Sequence, residues 1–464
     1  MTIPWTTAGL DLHLERTDSG QRSGLENSLR AAIQTRRLAA GTMLPSTRTL
    51  AHDLGVARGT VVAAYDQLVA EGYLLSRRGV GTQVADLGPV TEAAAERPRP
   101  RGVRMDLRPG TPDVTSFPAA AWLRATRQAV AKAPTSAFGY SDVRGRSELR
   151  TALADYLART RGVDVTPSRV VITAGCTEAL FLLCTALADS GHTTIAMEDP
   201  GFVMHRPVAR GAGQRIVAAP VDELGARTDQ LAAADSVLVT PAHQYPTGVT
   251  LHPARRQAIT AWARGSGGLI IEDDYDGEFR YGRQPIGALQ GTAPDHVAYL
   301  GTASKTLAPG LRLGWMVLPD RFTDAVVEVK LRTNLAAPTI TQLALAEMIT
   351  SHAYDRHIRT MRLRYRRRRD LLVEALERIG PGLVAGVAAG LQAAVRLPSD
   401  GPTEEEVVAA AAAEGLAVEG LAAHWHGDRE RRPGLLIGFS KPSERAYPAA
   451  VALLERVLRR MLRR

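Results

Sequence analysis

The stretch GTASKTLAPGLRLGW, residues 301–315, decides how the rest of the chain is read. It follows HVAYL (296–300), an apolar run that reads as a buried strand ending at Gly301. Lys305 stands between Ser304 and Thr306, and Arg312 follows past a Pro-Gly turn. The chain has only four lysines, Lys132, Lys305, Lys330 and Lys441, among 57 basic residues. A lysine in a Gly/Ser/Thr-rich loop of so lysine-poor a chain invites a chemical reading, because an amine condenses with an aldehyde and a guanidinium does not. On that reading Lys305 carries an aldehyde cofactor whose phosphate is held by Thr302, Ser304 and Arg312. A surface lysine in a polar loop would look the same from this segment alone, so the neighbouring segments must arbitrate.

At 464 residues the chain is long enough for two or three domains. Its 45% hydrophobic and 23% charged content is that of a globular protein. The net charge of +9 fits a nucleic-acid partner without requiring one. Residues 1–104 hold 13 arginines and 10 acids, so the excess is not gathered in one tail. Cys176 and Cys184, the only cysteines, sit on one apolar helix pattern and read as small core residues rather than a disulfide or a metal pair. The N-terminus lacks a charged region followed by an apolar run, so no signal peptide is expected. The most apolar helix candidate, 176–188, contains Glu178 and is too short to span a bilayer. The expected setting is the reducing cytoplasm, with no membrane partner.

Residues 11–84 read as a first domain. A helix is expected over 24–39, with Leu25, Leu29 and Ile33 on one face. Ser46 is a good N-cap for a second helix, 47–54, which Gly55 ends. A third helix, 58–71, puts Val61, Tyr65 and Leu68 on one face, and Gly72 stops it. Two short strands, YLLSR and GTQVA, flank the turn RRGVG. Helix, turn, helix and basic hairpin is the outline of a winged helix-turn-helix. Arg58 and Thr60 lie at the end of the third helix that would enter a major groove, while Arg48, Arg77 and Arg78 would meet phosphates. A small helical domain with solvated arginines shares that outline. The string LPSTRTLAHDLGVARGTVVAAYDQLVAEGYLLSRRGVGTQVA then resembles, along almost its whole length, the DNA-binding domain of the GntR family of bacterial regulators. The resemblance implies double-stranded DNA contacts at Ser46, Arg48, Arg58, Thr60 and the wing glycines around Gly81. Residues 85–104, without apolar period and rich in Pro and Arg, read as a linker.

From 105 to 464, helix and strand patterns alternate, which argues for an α/β layer fold with a mostly parallel sheet. VVITAG (170–175) is a buried strand feeding an apolar helix, whose free amides at Gly175, Cys176 and Thr177 make a phosphate site. EDPGF (198–202) ends in an aromatic, Phe202, that can lie flat on a ring. LVTPAHQYPTG (238–248) is a strand with a polar turn. LIIEDDYDGEFRY (269–281) runs three apolar residues into Glu272, Asp273 and Asp274, at the strand end where open α/β sheets bind ligands. No His stands at metal spacing from these acids, so no metal is expected. An Asp that keeps a pyridine nitrogen protonated is the partner a pyridoxal electron sink requires.

Together these segments resemble the fold-type I aminotransferases from about residue 106 onward, including a Tyr-x4-Gly-x3-Leu-Arg segment from Tyr140 to Arg150. A winged helix joined to such a domain resembles the MocR family, also named after its member GabR, transcription regulators that use pyridoxal 5′-phosphate (PLP). The resemblance implies a fold-type I domain with a smaller C-terminal α+β part. Residue by residue it implies that Lys305 is the Schiff-base lysine, Asp273 the acid facing the pyridine nitrogen, Tyr275 the phenol at the ring oxygen and Phe202 the stacking aromatic. Gly175, Cys176, Thr177, Thr302 and Arg312 match the phosphate cradle. Tyr140 matches a tyrosine that reaches the partner subunit's phosphate. His243 and Gln244 lie where aminotransferases place an Asn against the ring oxygen, and either one can be the contact.

The implied function is a PLP-dependent regulator. It would act as a head-to-tail, domain-swapped homodimer on an operator and sense a small effector: an amine, an amino acid or PLP itself. A working aminotransferase tethered to DNA is the alternative. Amino-acid-binding relatives carry a carboxylate-gripping arginine in a C-terminal strand, and the matching position in GLLIGFS (434–440) is Leu436. Weak binding of ordinary amino acids is therefore expected, with Arg206, Arg431 or Arg432 as conceivable substitutes. His424 and His426 read as surface or partly packed residues. The run RLRYRRRR (362–369), within a helix expected over 353–378, reads as a solvated face or an interface.

Overall fold

In the computed structural model, which describes residues 21–77, 79–88, 104–140, 142–231, 233–282, 286–333, 336–385, 388–426 and 432–462, the chain divides into two units, 1–99 and 100–464.

The first unit is built from three helices, Gln21–Gln34 (α1), Thr47–Leu54 (α2) and Arg58–Ala70 (α3), and three short strands, Met43–Leu44 (β1), Leu74–Arg77 (β2) and Gly81–Val84 (β3). The Ser46 hydroxyl accepts from the Thr49 amide, and Gly55, at φ 64°, takes the left-handed turn that closes α2. Leu29, Leu50, Val61 and Leu68 are fully buried between the helices. Helix α1 is shorter than its apolar period suggests, because Arg36 adopts φ 57° and turns the chain away. Strand β1, which at two residues leaves no sequence pattern, pairs with β3 and completes a three-stranded wing in the order β1-β3-β2.

In the second unit, Met105–Asp106 (β4) and the helices Ala119–Lys132 (α4) and Ser147–Arg161 (α5) precede an eight-stranded sheet. Its strands are Val170–Thr173 (β5), Thr194–Asp199 (β6), Arg215–Asp222 (β7), Gly225–Ala226 (β8), Ser236–Val239 (β9), Leu269–Asp273 (β10), Val297–Thr302 (β11) and Gly314–Val317 (β12). They lie in the order β5-β12-β11-β10-β9-β6-β7-β8. The central pairs are parallel, while β12 runs antiparallel to both neighbours and β8 antiparallel to β7. The strands are nearly continuous in Val, Ile and Leu, as burial on both faces requires. Helices Cys176–Asp189 (α6), His205–Gly211 (α7), Pro253–Ser266 (α8) and Asp320–Thr333 (α9) cover it, followed by Thr339–Thr350 (α10) and the long Ala353–Glu377 (α11).

A smaller C-terminal part follows: Val384–Ala385 (β13), Gln392–Arg396 (β14), Glu404–Ala413 (α12), Leu416–Ala417 (β15), Glu419–Gly420 (β16), Gly434–Gly438 (β17) and Tyr447–Leu462 (α13). The strands β13, β14, β17 and β16 form a separate four-stranded sheet. The arginine run on α11 is not a uniform solvated face. Arg368 is buried against Asp113 at 2.9 Å and donates to the Ser440 and Pro442 carbonyls, fixing α11 to the C-terminal segment. Among the described residues no helix is long and apolar enough to cross a membrane.

Candidate functional site

Strands β5, β6, β10 and β11 run parallel and end together, so the residues that follow them converge on one edge of the sheet, where such folds bind ligands. A cleft of about 410 Å³ opens there. Of the cofactor residues expected from the sequence, Lys305, Asp273, Tyr275, Phe202, Gly175, Cys176, Thr177, Thr302 and Arg312 all line it. Tyr140 does not; it is fully exposed on the surface.

Alternation at the end of β10 sorts Glu272, Asp273 and the following Asp274. Glu272 turns inward and accepts the Leu289 and Gln290 amides at 2.8 and 2.9 Å. Asp274 pairs with the buried Arg161 at 2.7 Å and accepts from the Tyr299 hydroxyl. Asp273 alone faces the cleft, and its Oδ1 is buried without a hydrogen-bond partner. Burial raises its carboxyl to about 7, against the opposing pull of Cys176 and Lys305. Such an orphaned acceptor fits a protonated ring nitrogen. Lys305 Nζ donates to the Gly110 carbonyl at 2.5 Å. Burial lowers its pKa, while Asp273 and Asp276 work against that. A depressed amine is the one that reacts with a carbonyl.

The opposite end is shaped for an anion. Gly175, at φ 122°, caps the start of α6, and a Cβ there would lie 3.8 Å from the Arg312 guanidinium. Glu178 accepts the Ala174 amide at 2.7 Å and is itself paired at 2.7 Å with Lys330, which is buried, so this turn is clamped from α9. Thr302 Oγ1 accepts from the Ser304 amide and donates to the Leu313 carbonyl. The amides at the start of α6, Arg312 and Thr302 make a phosphate cradle, and Phe202 stands half-exposed beside it. Together with Lys305 and Asp273, these residues fit PLP.

Several placements differ from the sequence reading. His243 is buried behind Tyr275, its Nδ1 2.9 Å from the Tyr275 hydroxyl and 2.9 Å from Asp276, and it is not part of the cleft wall. Gln244 is spent on the Pro200 and Tyr245 carbonyls, on Glu198 and on Thr247. The residue of that turn that faces the cleft is Tyr245, edge-on to Phe202 at 5.3 Å. His205, distant in sequence, brings Nε2 to 3.5 Å from Asp273 Oδ2. Together with Cys176 these ligand atoms lie within 4.8 Å of one another, so a His does stand at metal spacing from an acid, through the fold. Burial lowers the His205 ring to about 4, leaving it neutral. Cys176 is not a core residue like the buried Cys184 but sits at the cleft. His424 is fully buried rather than superficial, and Leu436 is fully buried on β17. Glu419 also lines the cleft, and no sequence signal marked it. Arg432 pairs with Glu223 at 3.3 Å, and Arg431 lies outside the described residues.

In the first unit Ser46, Arg48 and Arg58 are exposed at the starts of α2 and α3, with Thr60 half-exposed. The Ser46 hydroxyl is committed to its cap, accepting from the Thr49 amide at 3.1 Å. Arg77 is exposed on the wing directly across from Gly81, whose φ is 117°. Arg78 lies outside the described residues.

Residues 104–421 match the family model described as aminotransferase class I and II, and residues 21–84 match that of the bacterial regulatory proteins of the gntR family. The HTH-type pyridoxine biosynthesis transcriptional regulator PdxR of Corynebacterium glutamicum is 36% identical over 90% of this chain and 92% of its own. The HTH-type transcriptional regulator TauR of Rhodobacter capsulatus is 32% identical over 95% of this chain and 98% of its own. Among solved structures, an archaeal alanine:glyoxylate aminotransferase aligns at a TM-score of 0.70 and 27% identity, over 77% of this chain and 91% of its own.

Proposed function

The chain belongs to the aminotransferase class I and II family and, through residues 21–84, to the MocR-type regulators that join that fold to a gntR-family DNA-binding domain, and from that premise we propose that it is a PLP-dependent transcription regulator whose cleft senses a small molecule. The observation that carries this reading is the pairing, across one cleft, of Lys305 with the unpartnered Oδ1 of Asp273, in a chain that also presents Arg58 at an exposed helix start.

Bound PLP supplies an aldehyde and an electron-withdrawing ring. Lys305 would offer its depressed amine to the aldehyde, and Asp273 would accept from the ring nitrogen. Tyr275, whose hydroxyl receives the Gln392 amide at 2.7 Å and donates to the His243 carbonyl, would serve the ring oxygen. Phe202 would supply the stacking aromatic. The start of α6, Thr302 and Arg312 would hold the phosphate. On the first unit, Arg58 and Thr60 read base edges while Arg48 and Arg77 position the backbone.

Exposed Leu123, Phe138, Tyr140 and Ile340 support a homodimer, because so many large apolar side chains seek a cover. In that dimer Tyr140 would reach the partner's cradle. A ligand that favours one dimer arrangement would change the spacing of the two DNA readers. The test is DNA affinity of the purified protein with and without PLP, at fixed salt. An affinity for the operator that ignores cofactor and every amine would refute the sensing role. Steady-state turnover with a keto-acid acceptor would favour the aminotransferase reading instead.

A further inference from the structure

We infer that the molecule recognised beside the cofactor is an amine carrying a second cationic group, and that Glu419 receives that group. The inference rests on the proposed function, since it concerns the part of the cleft that PLP leaves open.

Glu419 opens β16 and stands in register with Leu436 of β17. Its side chain lines the cleft and is 34% exposed. Oε1 lies 3.1 Å from Nε2 of His424, a fully buried ring whose other nitrogen is 3.3 Å from the Gly201 carbonyl. The carboxylate is thus held from behind, and Oε2 has no hydrogen-bond partner among the described residues.

The nearby cations are already engaged. Arg206, which shares this wall, donates Nη1 to the His424 carbonyl and Nη2 to the Ala423 carbonyl, each at 3.0 Å. Arg108 forms a two-pronged pair with Asp106 at 3.0 and 2.7 Å. Leu436, opposite Glu419, carries no charge. Lys305 and Arg312 belong to the cofactor end. A ligand carboxylate arriving at this wall would therefore meet a like charge at Glu419 and, at Arg206, a guanidinium whose two Nη groups already donate to carbonyls, whereas an ammonium or guanidinium would gain a charge-assisted hydrogen bond at Glu419. The cleft that holds both Lys305 and Glu419 also presents Phe202, Tyr245 and Leu391, apolar surface that suits a short methylene chain joining two cationic ends.

The test compares ligands of equal length on the full PLP-loaded protein: putrescine against γ-aminobutyrate, and cadaverine against δ-aminovalerate. Binding is read by calorimetry and by thermal shift. The wild type is expected to bind each diamine about tenfold to a hundredfold more tightly than its amino-acid counterpart. Glu419→Gln, which keeps shape and removes charge, should bring the two affinities together, and Glu419→Arg should reverse their order. Equal or tighter binding of the amino acids by the wild type, or a diamine preference that survives in Glu419→Gln, overturns the inference. Cofactor occupancy is followed by absorbance in the same samples. An empty cleft overturns the underlying PLP reading, and a filled cleft without the preference overturns this inference alone.

Discussion

Replacing Asp273 by Asn should change the pH dependence of stability without the cofactor and leave it nearly unchanged with the cofactor bound. Burial lifts this carboxyl from 3.8 to about 7, so between those values the folded cofactor-free protein holds a proton that the unfolded chain has released. A group raised in this way costs nothing well below its unfolded pKa, and its cost grows as pH rises until the folded group also ionises. The cost at about pH 8 is roughly 4 kcal/mol, and at about pH 5 roughly 2 kcal/mol. Asn carries no proton equilibrium. Cofactor-free Asp273→Asn should therefore gain on the wild type by about 2 to 3 kcal/mol between those two pH values. In the loaded protein the ionised carboxylate is paired with the ring nitrogen, so the gain should vanish and the variant should hold PLP less tightly. Urea unfolding of both proteins, loaded and cofactor-free, at the two pH values measures all four quantities. A cofactor-free difference that does not grow with pH would refute the assignment of Asp273 as a desolvated acid waiting for a cation.

Three further outcomes follow from the same geometry. Lys305→Ala should abolish the visible cofactor band and the pyridoxyl label trapped by borohydride, and leave the fold intact; a label on one specific other lysine would reassign the site. Arg58→Ala should weaken specific DNA binding by about 1–3 kcal/mol if the side chain reads a guanine, whereas Arg77→Ala should weaken all sequences alike and flatten the salt dependence. Lys330→Ala leaves Glu178 buried without its partner and should cost about 3–5 kcal/mol in a denaturant titration, with Lys330→Met/Glu178→Gln recovering most of it.

Short-range chemistry is what the sequence carried most faithfully. Ser46 and Gly55 mark the ends of α2 because a cap and a left-handed turn are local requirements. The strand-to-helix turn at Gly175 is equally local, whereas Gly301, expected to end its strand, lies inside β11 and pairs with Trp315 of β12. The acid triplet was legible as a ligand-facing strand end, and the period of two would already have put Asp273 on the face opposite Glu272 and Asp274. What escaped depended on pairs far apart in the chain. His205 reaches Asp273 only because β6 and β10 flank the same strand, β9. Glu419 enters the cleft from the C-terminal sheet, and its short strand has too few residues to show a period. The turn at 243–245 misled because His243 and Gln244 match by position the Asn that aminotransferases place against the ring oxygen. In the fold both are consumed within the protein, and the aromatic is what remains facing the cavity.

The lysine count has a consequence for how such a chain would respond to its cofactor. Aldehydes in solution condense with any accessible amine, and most proteins of this size present many. Here Lys330 is sealed in its ion pair with Glu178, and Lys441 is drawn to Asp106 at 2.5 Å. Lys132 is the freely exposed competitor, paired with Glu347 at 3.3 Å at its tip. On the proposed reading the protein would therefore hardly buffer the aldehyde. Added in stoichiometric amounts, PLP would partition to Lys305 instead of draining onto the surface, which would let occupancy track a scarce free pool. An arginine-rich surface keeps the charge needed for DNA while adding no reactive amines, since a guanidinium attracts phosphate without condensing with a carbonyl.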